Sequence, residues 1–414
     1  MRKCLLLLSV LLLSTQSYAQ VNSDQVDLGA GYVNQVYYHI NGTKTTVAAN
    51  SWDLGFCTNL MDGAVINNPV TTSVYRIEGA DTLDYPYIVD TSGLDLAYQY
   101  NSDSLWFKGA FNRSADGMNP FDFGWGLYDF ATHKVIGNSL FIVKKGTDFY
   151  KLWIRSKEAN GDSHVRYAKL DGSADQDAVI STVNYSSKNF VYLSLSSPAQ
   201  LDLEPASSDW HLFFGRYITP VEGLGPYPVT GVLTNAGTES AEARGVDFNT
   251  VSYTDYEGSY VTDISEIGYD WKYFDMNIFQ YVLVDSLLYF VKTPGGAITS
   301  IRFIDFNNAT GVVSFDTENL LTSVSEIHSE LTAAAAYPNP AAEKITVIYE
   351  SSKSTAVTSL LYDISGREVF RYQFTAAAGL NTQAVELPQL SGGVYQLLLN
   401  SENGSLPLKI IIAP

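Results

Sequence analysis

From residue 20 to about residue 320, hydrophobic and polar side chains alternate over short runs, and helical periodicity is nearly absent. Tyr150, Leu152 and Ile154 fall on one side of such a run, Lys151 and Arg155 on the other, and Trp153 between them. The run Phe141, Ile142 and Val143 reaches Gly146 and returns through Phe149. A second run turns at Pro294, Gly295 and Gly296 and returns through Ile301 and Phe303. Glycine supplies the positive φ that tight hairpins need. The pattern predicts many short antiparallel strands.

Four features recur in one order at a spacing of about 150 residues, too long a period for a solenoid. Val36, Tyr37 and Tyr38 lead to Trp52, Asp53 and Leu54; Val191, Tyr192 and Leu193 lead to Trp210, His211 and Leu212. Trp125 leads to the strand around Val143, and Trp271 leads to the strand around Val291. Two similar β units are expected, at residues 20–177 and 178–319. Trp52 and Trp210 should be buried in equivalent places. Residues 320–332 read as a polar linker, and the alanines at 333–336 are too few for a stable helix.

From residue 333 to the end the strands are regular. Ile345, Val347 and Tyr349 share one side, and turns fall at Ser365-Gly366 and Gly392-Gly393. About seven short strands in about eighty residues predict a small immunoglobulin-like β-sandwich. The overall fold class is all-β.

Composition adds compartment more than chemistry. Hydrophobic residues are 46% of the chain and charged residues 17%, which suits packed cores. With 25 Lys plus Arg against 44 Asp plus Glu, the chain is expected to bind no nucleic acid, because counterion release from phosphates needs clustered cations. Residues 1–19 read as a secretory signal peptide: Arg2 and Lys3 precede an apolar run too short to span a bilayer, and Ser17-Tyr18-Ala19 is a small-x-small cleavage site. No other segment is apolar enough to be transmembrane. Cys4 leaves with the signal, so Cys57 has no partner for an internal disulfide and reads as a small buried apolar residue.

The C-terminal block carries specific motifs: Tyr337-Pro338-Asn339-Pro340, then Leu361-Tyr362-Asp363-Ile364-Ser365-Gly366-Arg367, then Leu390-Ser391-Gly392-Gly393-Val394-Tyr395, then Lys409-Ile410-Ile411-Ile412. In this order they resemble the type A sorting domain of the type IX secretion system. That resemblance implies export across the outer membrane of a Gram-negative bacterium, partnership with the secretion machinery, and a protein that is secreted or held on the cell surface.

The repeated body resembles the HmuY-type haem-binding proteins through the strands at Trp52 to Phe56 and Trp210 to Phe214 and the hairpins at Phe141 and Phe290. This resemblance implies a non-enzymatic, all-β surface protein with haem as candidate ligand, held by two axial His or Met side chains. His133 and His164 flank the first hairpin, where antiparallel pairing can bring both to one end of a sheet, so they are the candidate haem ligands. His39 and His211 read as packed strand residues and His328 as solvated; Met61 and Met118 read as gap fillers. The Asp171–Asp177 loop lacks the ligand spacing of a calcium site and reads as a polar turn. Motifs for nucleophile elbows, zinc hydrolases and phosphate loops are absent from the sequence. The alternative reading is an adhesin or glycan-binding protein using exposed aromatics such as Trp106, Trp153 or Trp271.

Overall fold

The computed structural model describes residues 21–59, 62–321, 330–363, 367–401 and 404–413. The signal segment, Met61, His328 and most of the expected linker lie outside the described residues. Within them, β-strands dominate, and the helices are four short 3-10 turns, the longest being Thr82–Tyr87. The all-β expectation holds.

The first unit is a two-layer sandwich. Its outer sheet runs in the order Gln176–Ile180, Ser163–Lys169, Asp148–Lys157, Phe141–Lys145, Thr72–Ile77, Leu96–Gln99. The hairpin of Gly126–Asp129 and Lys134–Gly137 joins this sheet beside the far end of Asp148–Lys157. The inner sheet runs Ser197–Leu201, Phe190–Ser194, Leu54–Cys57, Val65–Asn67. Leu54, Phe56, Phe141, Leu152, Tyr167 and Val191 meet between the layers.

The second unit repeats this plan. Its outer sheet runs Val21–Asp27, Val312–Leu321, Ile298–Asn307, Leu287–Lys292, Glu239–Arg244, and its inner sheet runs Lys44–Ala48, Asn34–Tyr38, Leu212–Val221, Gly225–Thr234. Read from Leu54 and from Leu212, the inner sheets and five strands of each outer sheet follow the same order, and Leu96–Gln99 of the first unit has no counterpart in the second. The hairpin of Lys272–Asp275 and Gln280–Leu283 stands where the first unit has Gly126–Gly137.

The boundaries expected at 20–177 and 178–319 do not follow the sheets. The cut at 177 falls inside strand Gln176–Ile180. The strands Val21–Asp27, Asn34–Tyr38 and Lys44–Ala48 complete the second unit, while Phe190–Ser194 and Ser197–Leu201 complete the first. Tyr38 pairs with Leu212, and Leu193 pairs with Leu54. Periodicity marks where strands are; it carries no information on which distant strand pairs with which, because pairing partners are chosen by sheet packing.

Burial explains the sequence of the inner sheets. All four residues of Leu54–Cys57 are buried, as are four of five in Asn34–Tyr38. One face of each inner sheet fills its own unit. The other faces the opposite unit, where Tyr37, Trp210 and Phe213 meet Trp52, Phe190 and Tyr192 around Trp106. Strands covered on both faces become continuously hydrophobic instead of alternating. Trp52 and Trp210 are both buried, each just ahead of the corresponding inner strand. A large aromatic so placed contributes a few kcal/mol of burial.

The C-terminal domain packs Leu331–Tyr337, Lys344–Ser351 and Gly379–Glu386 against Glu368–Ala376, Thr355–Tyr362, Gly393–Ser401 and Gly404–Ile412. Ile345, Val347 and Tyr349 face its core, as their alternation predicts. The alanine run lies in strand Leu331–Tyr337, and of the described residues of the expected linker all but Glu330 are strand residues. Asn339 ties the start of the domain to its end: its side chain donates to the Lys409 carbonyl at 3.0 Å and accepts from the Ile411 N–H at 2.8 Å.

Candidate functional site

His133 closes the turn of the Gly126–Gly137 hairpin with φ of 57°. Asp129 builds that turn, accepting from the Ala131 N–H at 3.1 Å and the Thr132 hydroxyl at 2.6 Å. The His133 Nδ1 lies 2.9 Å from the Tyr128 hydroxyl. His164 lies on strand Ser163–Lys169, half-buried between Ser156 and Val179 of the flanking strands. Both are therefore on the outer sheet assembly of the first unit, engaged with different neighbours. Among the described residues no group of three His, Cys, Asp or Glu side chains is arranged to hold a metal ion.

What surrounds His133 is aromatic. Phe121 and Phe130 meet edge to face at 4.5 Å, and Tyr128 packs on Phe130 at 5.2 Å. Phe130 is 62% exposed, and Leu127 and Ile136 also face solvent. The Lys272–Leu283 hairpin has the same construction. Asp275 accepts from the Asn277 N–H at 2.7 Å, and Phe279 takes the position of His133 with φ of 52°. A bulky side chain at positive φ is uncommon, and both hairpins place one at the end of the turn. Phe279 is 72% exposed, beside exposed Tyr273, Phe274, Met276 and Ile278.

The expectation of exposed tryptophans is corrected. Trp271 is buried, stacked on Phe303 at 4.0 Å. Trp106 is wedged between the two units, its indole N–H donating to the Thr234 carbonyl at 2.7 Å. Trp153 is half-buried beside Tyr85. Cys57 is buried, and burial pushes its thiol up to about 12, as befits a packing residue. Asp175 and Asp177 pair with Arg166 and Arg155 at 2.7 Å each, and Asp171 accepts from Ser173, so the loop is a salt-bridged polar turn. Met118 is 91% exposed, contrary to a gap-filling role.

Three relationships escaped the sequence reading. Asn68 donates to the Trp52 carbonyl at 2.8 Å, and Asn235 donates to the Trp210 carbonyl at 2.9 Å. The backbones agree: the Asn68 N–H reaches the Asp53 carbonyl, and the Asn235 N–H reaches the His211 carbonyl. A shared asparagine some way beyond each tryptophan was the available signal. Second, His39 and His211 pack with ring centroids 4.3 Å apart. Burial first, and then His39, lower His211 to about 3. In the first unit that place belongs to Asp53, which accepts from Lys145 at 2.6 Å and from the Leu195 N–H at 2.7 Å. Third, Glu204 is buried at the junction of the units, accepting from the N–H groups of Asn189 and Phe190 at 3.0 and 3.1 Å and from the Tyr192 hydroxyl at 2.9 Å. Burial raises it to about 7.

On the C-terminal domain, a shallow groove of about 710 Å³ runs along the Gly393–Ser401 and Gly404–Ile412 strands, between Tyr362, Tyr395 and Lys409. Residues 335–413 match the family described as the secretion system C-terminal sorting domain. Among solved structures, the chain is similar to dimeric latent PorU from Porphyromonas gingivalis at 10% identity, with a TM-score of 0.18, too low to define a shared fold. That match covers 85% of this chain and 31% of that one, so the chain spans about a third of its length. No curated protein matches the chain. The order of motifs from Tyr337 to Ile412 and the family match agree: residues 335–413 are a type IX secretion C-terminal sorting domain, and the protein is secreted or attached at the surface of a Gram-negative, Bacteroidetes-type cell.

Proposed function

We propose that the body, once exported, is a non-enzymatic binding module that recognises glycans through exposed aromatic side chains. The observation that carries this reading is the pair of corresponding hairpins. Each holds large apolar groups in water, Phe130 and Leu127 on one, Phe279 and Tyr273 on the other, beside the acceptors Asp129 and Asp275. Contiguous exposed apolar surface costs solubility and marks interaction sites. Aromatic rings flanked by polar acceptors suit the apolar faces and hydroxyls of sugars. The test is binding of the full chain to a panel of polysaccharides, compared with a Phe130→Ser, Phe279→Ser variant. Retained binding by that variant would remove the hairpins from the ligand surface.

Haem is the second reading. It is favoured by the imidazole of His133 standing beside Tyr128, which in turn packs on Phe130 next to Phe121. Residues present there fit one axial ligand and an apolar flank for a porphyrin, whose iron supplies the coordination chemistry. A haemin titration read by absorbance tests it. A low-spin spectrum lost in His133→Ala or His164→Ala supports the reading, and spectra unchanged in the double variant remove it.

A further inference from the structure

The outer face of the first unit is covered only in part. The Thr82–Tyr87 turn and Ile88 pack over Ile77, Leu140 and Ile142. Tyr98, on the edge strand Leu96–Gln99, is 40% exposed. Tyr98 stands opposite Tyr75 on the neighbouring strand, with ring centroids 5.5 Å apart, and Tyr100 follows Tyr98 at 5.8 Å. The three rings make a row across the end of the sheet. Arg113 lies over the ring of Tyr100, its Cζ 3.6 Å from the centroid, and donates to the Tyr100 hydroxyl. Lys144 stands on the same outward face, opposite Ser73, the residue two before Tyr75.

The charges are informative. The chain carries 44 acidic residues against 25 basic ones. Seven described arginines are paired with a carboxylate: Arg76, Arg155, Arg166, Arg244, Arg302, Arg367 and Arg371. Among the described residues, Arg113, over Tyr100, and Lys144, whose ammonium lies 5.7 Å from the Phe149 ring on the neighbouring strand, meet no carboxylate within salt-bridge distance; on the second unit Arg216, over Tyr32, is placed likewise. A guanidinium stacked on a ring keeps a planar fork of N–H donors matched to a carboxylate or sulfate. Stacking also limits the rotamer entropy lost when a ligand binds. Exposed rings in a row with unpaired cations at their border complement a ligand that is both ring-shaped and negatively charged.

We propose that the surface formed by Tyr75, Tyr98, Tyr100, Arg113 and Lys144 binds an acidic polysaccharide. Tyr75 and Tyr98 meet successive sugar faces, Tyr100 holds the Arg113 guanidinium in place, and the two cations meet carboxylates or sulfates of the polysaccharide. This rests on the reading of the body as a glycan-binding module, and it places a site apart from the two hairpins.

The experiment is affinity electrophoresis and calorimetry of the full chain with polygalacturonate and, separately, with neutral dextran. Tyr98→Ala, Arg113→Gln and the Arg113→Gln, Lys144→Gln pair are compared with wild type, and Tyr227→Ala on the second unit serves as control. Unfolding temperatures confirm that each variant folds; these side chains lie at the surface, and Arg113→Lys is held as a milder variant. The expected result is tighter binding of polygalacturonate than of dextran. Tyr98→Ala and the double cation variant should each weaken it about tenfold or more, as loss of an anchoring side chain does. Binding should also weaken as salt rises. Polygalacturonate bound equally by wild type, Tyr98→Ala and the double cation variant would overturn the site but leave the glycan reading standing. Equal affinity for dextran would overturn the acidic class. Binding of no polysaccharide on the wider panel would overturn both.

Discussion

The hydroxyls of Tyr37 and Tyr192 lie 3.3 Å apart, buried where the inner sheets of the two units meet. The relationship is reciprocal. Tyr37 packs edge-on against Trp210 at 5.0 Å, and Tyr192 packs edge-on against Trp52 at 4.7 Å. Corresponding residues thus face each other across the junction, the arrangement of a two-fold interface formed within one chain. Glu204, bonded to Tyr192, and Gln35, bonded to Tyr37 and Trp52, add polar contacts there, as does Asn189, whose side chain donates to Asn235 at 2.7 Å.

Glu204 makes stability depend on pH. Its folded value of about 7 lies above the ordinary 4.5, so the folded state holds a proton that the unfolded chain releases between those limits. Its contribution is complete below about pH 4.5 and is lost as pH rises through about 7. Glu204→Gln, neutral at every pH, should flatten the fall in urea-unfolding free energy between pH 5 and 8. An unchanged slope would show that Glu204 is not the group responsible.

His211 acts in the opposite direction. Its folded value of about 3 lies below the ordinary 6.5, so its contribution is present above about pH 6.5 and is lost as pH falls toward 3. His211→Asn should weaken the acid-side loss of unfolding temperature between pH 6 and 4. An identical acid limb in the variant would contradict this assignment.

Asn68 and Asn235 close corresponding turns through buried hydrogen bonds. Replacing either by Ala removes a buried donor shared by two carbonyls, Ala49 and Trp52 for Asn68, Ser207 and Trp210 for Asn235, and should cost about 1–3 kcal/mol, with the Trp52 carbonyl still accepting from the Thr71 hydroxyl. Chemical denaturation of both single variants checks this. A cost at one position with none at the other would show that the two units are not held alike.

The sorting domain should depend on Asn339, which joins the first motif to the last strand. Asn339→Ala should destabilise the domain by about 1–3 kcal/mol and lower surface delivery, while deletion of residues 335–413 should abolish it. Cell fractionation with surface labelling measures both. Normal display of the deletion variant would refute the export route.

Phe279→Ser removes an exposed side chain and should change stability by no more than about 0.5 kcal/mol, while Phe130→Ser also loses its edge-to-face contacts with Phe121 and Tyr128 and should cost about 1 kcal/mol. Under the proposed function both lower ligand binding. A large loss of stability would mean that the hairpin tips pack against something in the folded chain.

By itself, the sequence determined that the chain is all-β, where most strands lie, and what the last domain is for. Alternation such as Ile345, Val347, Tyr349 reports a buried face directly, and the motifs from Tyr337 to Ile412 report the address. Trp52 and Trp210 announced two related units because a large aromatic ahead of a strand leaves a local pattern. The tertiary structure decided which strands belong together. Val21–Asp27, Asn34–Tyr38 and Lys44–Ala48 join strands far along the chain, since backbone pairing needs only a free sheet edge and a complementary face, whatever the separation in sequence. It likewise decided which aromatics face water. Trp106 and Trp271 are covered, and Phe130, Phe279 and Tyr98 are exposed. No residue type encodes that difference, because exposure is set by what the rest of the chain places over each side chain.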